Sequence, residues 1–367
     1  MSPIRSKRKR TTRRATQAVS DGSVDLTRLL DLVSAFPRQK ICVVGDLVLD
    51  EFVSGEISRV SREAPVLILR HRRTEVFPGG AANAVYNLAE LGAHVLPVGV
   101  VGDDAGGRAL LDCFRRKGVD TSRIVRLRDW VTTKKTRFLA GWTHTTEQQV
   151  LRVDYEPSAA LPPNTQEAIA RKARRAARLA GTVLVSDYGL GAVTPELVGK
   201  LSAKRITLDC RYRILAYRDA GITAAAPNEP ELEAAYHERI GTDVAKLEEL
   251  GQRALSDLGA AALVVTRGKD GMAVFEPAQP GRPGTPAPVR HIPIYGSDTP
   301  VDVTGAGDTV TAVFTLALAA GASYLEAAHL ANYAGGIVVM KRRTATVTRA
   351  ELEAALRGEA TAPQHPR

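Results

Sequence analysis

The residues best suited to chemistry form the segment VDVTGAGDTV at positions 301–310. Asp308 follows a Gly-Ala-Gly turn at 305–307, and a helix with almost no charge is predicted to begin there. Free backbone N–H groups at the start of a helix, together with the helix dipole, suit a phosphate group. A carboxylate at such a place is either a helix cap or a base that takes a proton from an attacking hydroxyl group. Spacing alone leaves both roles open.

A second glycine-rich segment, FPGGAANAV at 77–85, precedes another predicted helix. Gly79 and Gly80 permit a tight turn, and the amide of Asn83 suits a hydrogen bond to a hydroxylated ligand. A third turn, TRGKDG at 266–271, follows an apolar run. Taken alone, the second segment also fits an ordinary turn before a helix, and the third fits an ordinary hairpin.

Alternating strands and helices are predicted to position these segments. Short runs such as ICVVG, TVLVSD and ALVVT are typical of buried parallel strands. The helical stretches between them often end at glycine. This order predicts an α/β fold, a three-layer α/β/α sandwich with a mainly parallel central sheet. Ligands bind beyond the C-terminal ends of the strands in such sheets, where the glycine-rich turns lie.

Two segments interrupt this alternation, at about 51–77 and 131–155. Each contains predicted strands without a helix between them. We therefore expect a small separate β-sheet that serves as a lid or as an oligomer surface. The folded domain is expected to span 24–356, with a first helix up to Val33. A loop rich in proline and glycine at 276–289 is expected to be a variable surface excursion.

The formal net charge of +10 is concentrated at one end of the chain. Residues 1–15 contain seven lysines and arginines and no acid, so 1–23 is predicted to be a disordered basic tail. A second disordered tail is expected at 357–367. No aromatic residues lie among the arginines, so nucleic-acid binding is not favoured, although contact with an acidic surface stays an alternative.

The composition also limits the class of protein. No run reaches the roughly 18 apolar residues that span a membrane, and no apolar segment follows the N-terminal charges, so neither a membrane span nor a secretory signal is expected. The three dispersed cysteines argue against a disulfide framework and favour the cytoplasm. No cysteine or histidine cluster has the spacing of a zinc site.

Together, the motifs resemble the ribokinase-like carbohydrate kinases, the PfkB family. DVTGAGD at 302–308 matches that family's C-terminal signature. GGAAN from Gly79 onward, with Gly92 and Gly102, matches its N-terminal signature, although Val85 stands where a small residue is usual. NEPE at 228–231 matches the family's Asn-x-x-Glu element. The resemblance covers roughly residues 38–350.

The resemblance implies a role for each of these segments. Asp308 would be the general base, with the anion hole formed by Gly305, Ala306 and Gly307. The sugar would be bound by Asp50, Gly79, Gly80 and Asn83. The nucleotide side would comprise Asn228, Glu231, Thr266, Gly268, Gly271 and Asn332. ATP would carry Mg²⁺ near Asn228 and Glu231, without a metal cage made by the protein.

Within the family, the runs GDLVLDEFVSGEISRVSREAPV and SDYGLGAVT resemble the D-glycero-D-manno-heptose 7-phosphate kinase subgroup of ADP-heptose synthesis. The implied reaction is phosphorylation of the anomeric hydroxyl, which gives the 1,7-bisphosphate. The phosphate already present on such a substrate requires cations, and Lys135, Arg137 and Arg152 lie in the second lid segment. A homodimer formed through the lid and a separate nucleotidyltransferase are the implied partners.

Two departures leave alternatives open. The run LDCRYR at 208–213 resembles fructokinases and ketodeoxygluconate kinases more than it resembles the heptose kinases, so a different sugar is one alternative. Arg342 and Arg343 stand where a glycine is usual near the family's monovalent-cation site, which puts potassium activation in doubt. A non-catalytic nucleotide- or sugar-binding regulatory protein with the same fold is the alternative from another class.

Overall fold

Short apolar strands form the centre of the protein because almost every side chain on them is buried. The computed structural model describes residues 24–142, 147–277 and 287–359. The strands are β1 Lys40–Gly45, β2 Leu47–Val60, β3 Leu67–Gly80, β4 His94–Val98, β5 Val100–Gly102, β6 Val125–Leu127, β7 Lys134–Gly141, β8 Gln148–Tyr155, β9 Thr182–Asp187, β10 Arg205–Cys210, β11 Ala224–Ala225, β12 Ala262–Thr266, β13 Met272–Phe275 and β14 Arg290–Ile292. All six side chains of β9 are buried.

Eight of these strands form the main sheet, and helices cover both of its faces. They are α1 Leu26–Ser34, α2 Ala81–Glu90, α3 Ala105–Arg116, α4 Pro163–Ala180, α5 Pro195–Val198, α6 Glu229–Tyr236, α7 Val244–Leu258, α8 Ala306–Ala319, α9 Tyr324–Val338 and α10 Arg349–Leu356. One buried cluster joins the sheet to α1, α2, α3, α8, α9 and α10, and a second joins it to α4, α5, α6 and α7.

The main sheet has eight strands in the order β14-β13-β12-β11-β10-β9-β1-β4. Pairing is parallel from β4 to β12, and β13 and β14 add an antiparallel edge. The predicted three-layer fold with a mainly parallel sheet is thus confirmed. The loops that carry chemistry leave the C-terminal ends of β1, β9, β10, β11 and β12, which are consecutive strands of the sheet.

A separate four-stranded sheet has the order β3-β2-β7-β8. We call this sheet the lid. It begins immediately after β1, since β2 starts at Leu47, and it returns to the main domain where β3 runs into α2 at Gly80. Its register places Asp50 opposite Lys135 and Phe52 opposite Arg137. The predicted segments at 51–77 and 131–155 therefore form one sheet, and the expected smaller β-sheet is confirmed.

Helices lie near both ends of the described residues. The first helix is α1, capped by the carboxylate of Asp25, which accepts a hydrogen bond from the Thr27 N–H at 2.9 Å. The last is α10, which ends at Leu356. The tail at 1–23 and most of the predicted loop and C-terminal tail lie outside the described residues. Within the described part of the chain, no helix combines the length and apolarity needed to cross a membrane.

Candidate active site

Asp308 lies in the first turn of α8, at the centre of the molecule. Gly305 precedes the helix in a left-handed conformation, with φ +78°. A side chain at this position would be excluded, because a Cβ atom would lie 2.5 Å from Nδ2 of Asn83. The turn therefore brings the backbone at 305–307 close to Asn83, and it leaves the Asp308 carboxylate only 5% exposed.

The Asp308 carboxylate is held by two side chains and does not cap its helix. The amide of Asn83 donates to Oδ2 at 3.0 Å, and the hydroxyl of Tyr188 donates to Oδ1 at 2.7 Å. Asn87 donates to Oδ1 of Asn83 at 2.9 Å, which fixes the Asn83 amide with its NH₂ group toward Asp308. No side chain caps α8. The geometry thus disfavours the cap role that the sequence had left open.

Burial raises the pKa of Asp308 to about 7. The hydrogen bonds from Asn83 and Tyr188 and the charge of Lys135 lower it, whereas the Asp50 carboxylate raises it. A carboxylate with a pKa near neutrality exchanges a proton readily at neutral pH, which is the property of a general base. Because a cap needs no such shift, burial and pKa together favour a catalytic role.

Asp50 lies on the inner face of the lid and is already paired. Its Oδ1 accepts from Arg137 at 2.5 Å, and its Oδ2 accepts from the Thr344 hydroxyl at 3.1 Å. Gly79 runs alongside it, and a Cβ atom there would lie 2.5 Å from Oδ2 of Asp50. Gly80 follows with φ +55°, which glycine adopts without strain. These contacts explain the Gly-Gly pair as the close approach of β3 to Asp50.

The lid cations expected to bind a phosphate are not equally available. Arg137 is bonded to Asp50, and Arg152 forms an ion pair with Asp154 at 2.7 Å. Lys135 lies instead 5.2 Å from the centre of the Tyr188 ring. All three residues lie on lid strands β7 and β8, and of these only Lys135 has no carboxylate partner among the described residues.

Arg343 takes the place of the glycine that the family resemblance led us to expect. Its φ of +66° lies in the left-handed region, which glycine favours. Its N–H donates to Oδ2 of Asp302 at 2.8 Å, and its guanidinium binds the lid carboxylates Glu75 and Glu147. This arginine consequently joins the loop after α9 to the lid, and its charge is balanced there.

A cleft of about 210 Å³ lies on the other side of the Gly-Ala-Gly turn. Thr266, Gly268, Gly271 and Asn332 all line it, together with Ala306 and Gly307. Asn332 donates to the Pro293 carbonyl at 2.8 Å, so its side chain fixes the wall of the cleft. Four of the six residues predicted for the nucleotide side therefore meet in one cavity that adjoins the turn before Asp308, whereas Asn228 and Glu231 are not among the residues that line it.

Asn228 and Glu231 form a reciprocal capping box at the start of α6. The Asn228 side chain accepts from the Glu231 N–H at 2.8 Å, and Glu231 Oε2 accepts from the Asn228 N–H at 2.9 Å. Burial raises the pKa of Glu231. Burial, with the charges of Asp308 and Glu231, also raises the pKa of Asp209 well above its usual range. A cation bound beside these acids would lower their raised pKa values.

These acids fit a magnesium ion that arrives with nucleotide phosphates. The described residues contain no group of three or more side chains arranged to hold a metal by themselves. Mg²⁺ is commonly bound by one or two carboxylates, water and substrate phosphates, without a dedicated protein cage. Glu231 and Asp209 are the residues that would hold it here.

Sequence reasoning missed Tyr188, Asp46 and Arg211. The carboxylate of Asp46 accepts from the N–H groups of Tyr188, Leu190 and Ala192 at 2.8–3.1 Å, so it orders the loop that presents the Tyr188 hydroxyl. The available signal was position: each residue follows the C-terminal end of a central strand, where ligands bind in such sheets.

Comparison with known proteins adds three findings. Residues 38–350 match the family described as pfkB family carbohydrate kinase. The chain is 38% identical over 339 residues to the bifunctional protein HldE of Desulfatibacillum aliphaticivorans, and 39% identical over 333 and 321 residues to those of Mesorhizobium japonicum and Geobacter sulfurreducens. The matches cover 90, 88 and 86% of this chain, but only 66, 63 and 62% of those relatives.

Two solved structures show the same fold at lower identity. Arabidopsis thaliana ribokinase, complexed with ribose and ATP, superposes with a TM-score of 0.64 at 20% identity, covering 87% of this chain and 98% of that one. Phosphofructokinase-2 from Escherichia coli, in complex with fructose-6-phosphate, gives a TM-score of 0.68 at 17% identity, with the same coverage of both chains.

Proposed function

Because the chain belongs to the pfkB family of carbohydrate kinases, we propose that it transfers the terminal phosphoryl group of ATP to the anomeric hydroxyl of D-glycero-D-manno-heptose 7-phosphate. The class of activity, a sugar kinase, follows from the family. The sugar, the hydroxyl and the residue roles are the proposal. The observation that carries it is the buried Asp308 carboxylate, with its raised pKa, beside the Gly-Ala-Gly turn at 305–307.

In the proposed reaction, the acceptor hydroxyl donates a hydrogen bond to Asp308 and loses its proton to it as the oxygen attacks phosphorus. Asn83 and Tyr188 hold the carboxylate in place during the transfer. The backbone N–H groups at 305–307 face the transferring group and stabilise its charge. Phosphoryl transfer depends mainly on such positioning and charge stabilisation, and all of these groups are built on rigid elements.

The nucleotide is assigned to the cleft lined by Thr266, Gly268, Gly271 and Asn332. Its position across the Gly-Ala-Gly turn from Asp50 would place donor and acceptor on opposite sides of the transferring group. ATP as donor is supported by the family and by the fold shared with ribokinase. Mg²⁺ bound near Asn228 and Glu231 would neutralise phosphate charge. The proposal includes no monovalent cation, because Arg342 and Arg343 stand where a glycine is usual near the family's monovalent-cation site.

The heptose substrate is supported by the sequence resemblance to heptose 7-phosphate kinases and by the similarity to proteins named bifunctional protein HldE. A separate nucleotidyltransferase partner is less well supported, because the name of those relatives indicates two functions in one protein. Fructokinase or ketodeoxygluconate kinase activity stays the second candidate, and the observation that favours it is LDCRYR at 208–213. A cytoplasmic location is proposed from the unpaired cysteines.

A homodimer formed through the lid is part of the proposal. The lid exposes several large apolar side chains, which a monomer would leave in water. They are Val60, Val66, Leu67, Val150, Leu151 and Tyr155. Contact with the same face of a second lid would bury them, as expected for a two-fold symmetric interface.

The experiment that tests the function is a coupled kinase assay with ATP and a panel of acceptors. The panel contains D-glycero-D-manno-heptose 7-phosphate, the unphosphorylated heptose, fructose, ribose and ketodeoxygluconate. We expect the largest kcat/KM with the heptose 7-phosphate. A larger value with fructose or ketodeoxygluconate would replace the proposed substrate, and no ATP consumption with any acceptor would support a regulatory protein.

A further inference from the structure

The cations around the sugar side of the cleft fall into two groups. Most are neutralised by a carboxylate: the pairs are Lys134 with Glu51, Arg137 with Asp50, Arg152 with Asp154, and Arg343 with Glu75 and Glu147. Two are not. Among the described residues, neither Lys135 nor Arg211 has a carboxylate oxygen within 4.0 Å.

These two cations come from different parts of the fold and meet at one aromatic ring. Lys135 lies on lid strand β7, and Arg211 follows β10 of the main sheet. The Lys135 Nζ lies 5.2 Å from the centre of the Tyr188 ring, and the Arg211 Cζ lies 6.0 Å from it. The hydroxyl of the same ring donates to Asp308 at 2.7 Å. Both cations are therefore neighbours of the proposed base.

Arg211 is exposed, and two aromatic rings lie near its guanidinium. Its guanidinium lies 5.6 Å from the centre of the Tyr212 ring as well as near Tyr188. Tyr212 in turn packs against Gly189, where a Cβ atom would lie 3.2 Å from its ring. Attraction between the guanidinium and these rings favours side-chain positions near Tyr188.

The two positive charges oppose each other until an anion arrives. Burial lowers the pKa of Lys135, and the Arg211 charge lowers it further, more than the Asp50 carboxylate restores it. Lys135 is partly buried, whereas Arg211 is exposed and its charge lowers the pKa of Asp209 and of Glu231. Because neither cation has a carboxylate within 4.0 Å among the described residues, a group with two negative charges suits the pair. A phosphate monoester carries about that charge and accepts several hydrogen bonds from such donors.

We propose that Lys135 and Arg211 bind the phosphate group that the acceptor sugar already carries. The identity of that sugar rests on the proposed function. The acceptor is indicated by Lys135, which belongs to the lid and stands opposite Asp50 in the sheet register. Arg211 also acts on Asp209 and Glu231, the acids proposed to hold Mg²⁺, so the kinetic test below compares the KM of both substrates. The nucleotide cleft is lined by residues between 266 and 339, beyond the Gly-Ala-Gly turn. Arg137 and Arg152, which the sequence suggested for this task, instead hold Asp50 and Asp154.

Binding of inorganic phosphate without nucleotide tests the subsite directly. We compare the wild-type protein with Arg211→Ala and Lys135→Ala, using phosphorus NMR titration. Each substitution removes a charge-assisted contact, so phosphate binding should weaken by about 10- to 100-fold, and Arg211→Lys should retain part of it. Arg178→Ala, which removes an exposed charge at the end of α4, is the matched control and should bind as the wild type does.

Steady-state kinetics then identify which phosphate is bound. We expect KM for heptose 7-phosphate to rise by about 10- to 100-fold in both variants, with KM for ATP unchanged and the preference for the phosphorylated heptose reduced. A rise confined to KM for ATP, or unaltered binding of inorganic phosphate, would overturn the subsite. If the wild type does not use heptose 7-phosphate, the proposed function fails, and the phosphate titration still decides whether Lys135 and Arg211 bind the anion.

Discussion

Replacing Tyr188 by phenylalanine should weaken the proposed base without removing it. The substitution deletes the hydroxyl that donates to Oδ1 of Asp308 at 2.7 Å and keeps the ring that Lys135 and Arg211 approach. A hydrogen bond to a charged group contributes about 1.5–3 kcal/mol, and 1.36 kcal/mol corresponds to one pKa unit. The pKa of Asp308, about 7 with the bond in place, should therefore rise by roughly one to two units.

The direction of the effect on activity follows from the role of a base. A base must be deprotonated, so the acidic limb of the profile of kcat/KM against pH should move toward higher pH by the same amount. At pH 7 the ionised fraction falls from about one half to roughly 1–10%, so kcat/KM should fall about 5- to 50-fold. Above about pH 9 the variant should approach the wild type.

The control for this prediction is Tyr236→Phe. The Tyr236 hydroxyl also donates to a carboxylate, that of Asp257 at 2.8 Å, but on the exposed surface of α6 and α7. It should leave the pH profile unchanged. If Tyr188→Phe lowers activity equally at every pH, Tyr188 acts on the substrate and not through Asp308. If it changes nothing, the hydrogen bond has no part in the reaction.

Three further predictions concern the base, the lid contact and the dimer. Asp308→Asn should lower kcat by about 10²- to 10⁴-fold in the coupled assay with KM for ATP little changed; activity near that of the wild type would remove Asp308 as the base. Gly79→Ala places a Cβ atom 2.5 Å from Oδ2 of Asp50. It should raise KM for the sugar and lower the free energy of unfolding by about 1–3 kcal/mol, measured by denaturant titration; unchanged values would show that the lid backbone shifts at no cost. Leu151 is 55% exposed on the lid, so Leu151→Asp puts a charge on the proposed dimer surface. The variant should sediment as a folded monomer in sedimentation velocity, and a persistent dimer would place the interface elsewhere.

The order of strands and helices could be predicted because it depends on local patterns. Buried runs such as TVLVSD and ALVVT have no polar face, which identifies them as central parallel strands. The Gly-Ala-Gly turn before Asp308 could be predicted as a phosphate site for a similar reason, since the physics of a helix N-terminus is local. The sequence could not decide whether Asp308 is a helix cap or a base. That choice depends on Asn83 and Tyr188, which lie 225 and 120 residues away from Asp308 in the chain.

The ion pairs within the lid are the part of the site that the sequence could not predict. Lys135, Arg137 and Arg152 are equivalent when read as charges, and the sequence could only assign all three to a phosphate. Their partners differ because of the strand register. Asp50 stands opposite Lys135, but its carboxylate forms an ion pair with Arg137, two residues further along the same face. Arg152 forms an ion pair with Asp154. Two of the three charges are thereby neutralised within the sheet.

Pairing within the lid also bears on the proposed anion contact, which combines one lid cation with one from the main domain. If all the lid cations were unpaired, the lid could bind phosphate by itself, at positions unrelated to that of Asp308. Because Lys135 shares the Tyr188 ring with Arg211, an anion held by both would connect the lid to the strand ends that carry the base. The acceptor's phosphate would then close the lid over its own hydroxyl, and an acceptor lacking that phosphate would leave Lys135 and Arg211 repelling each other across the cleft.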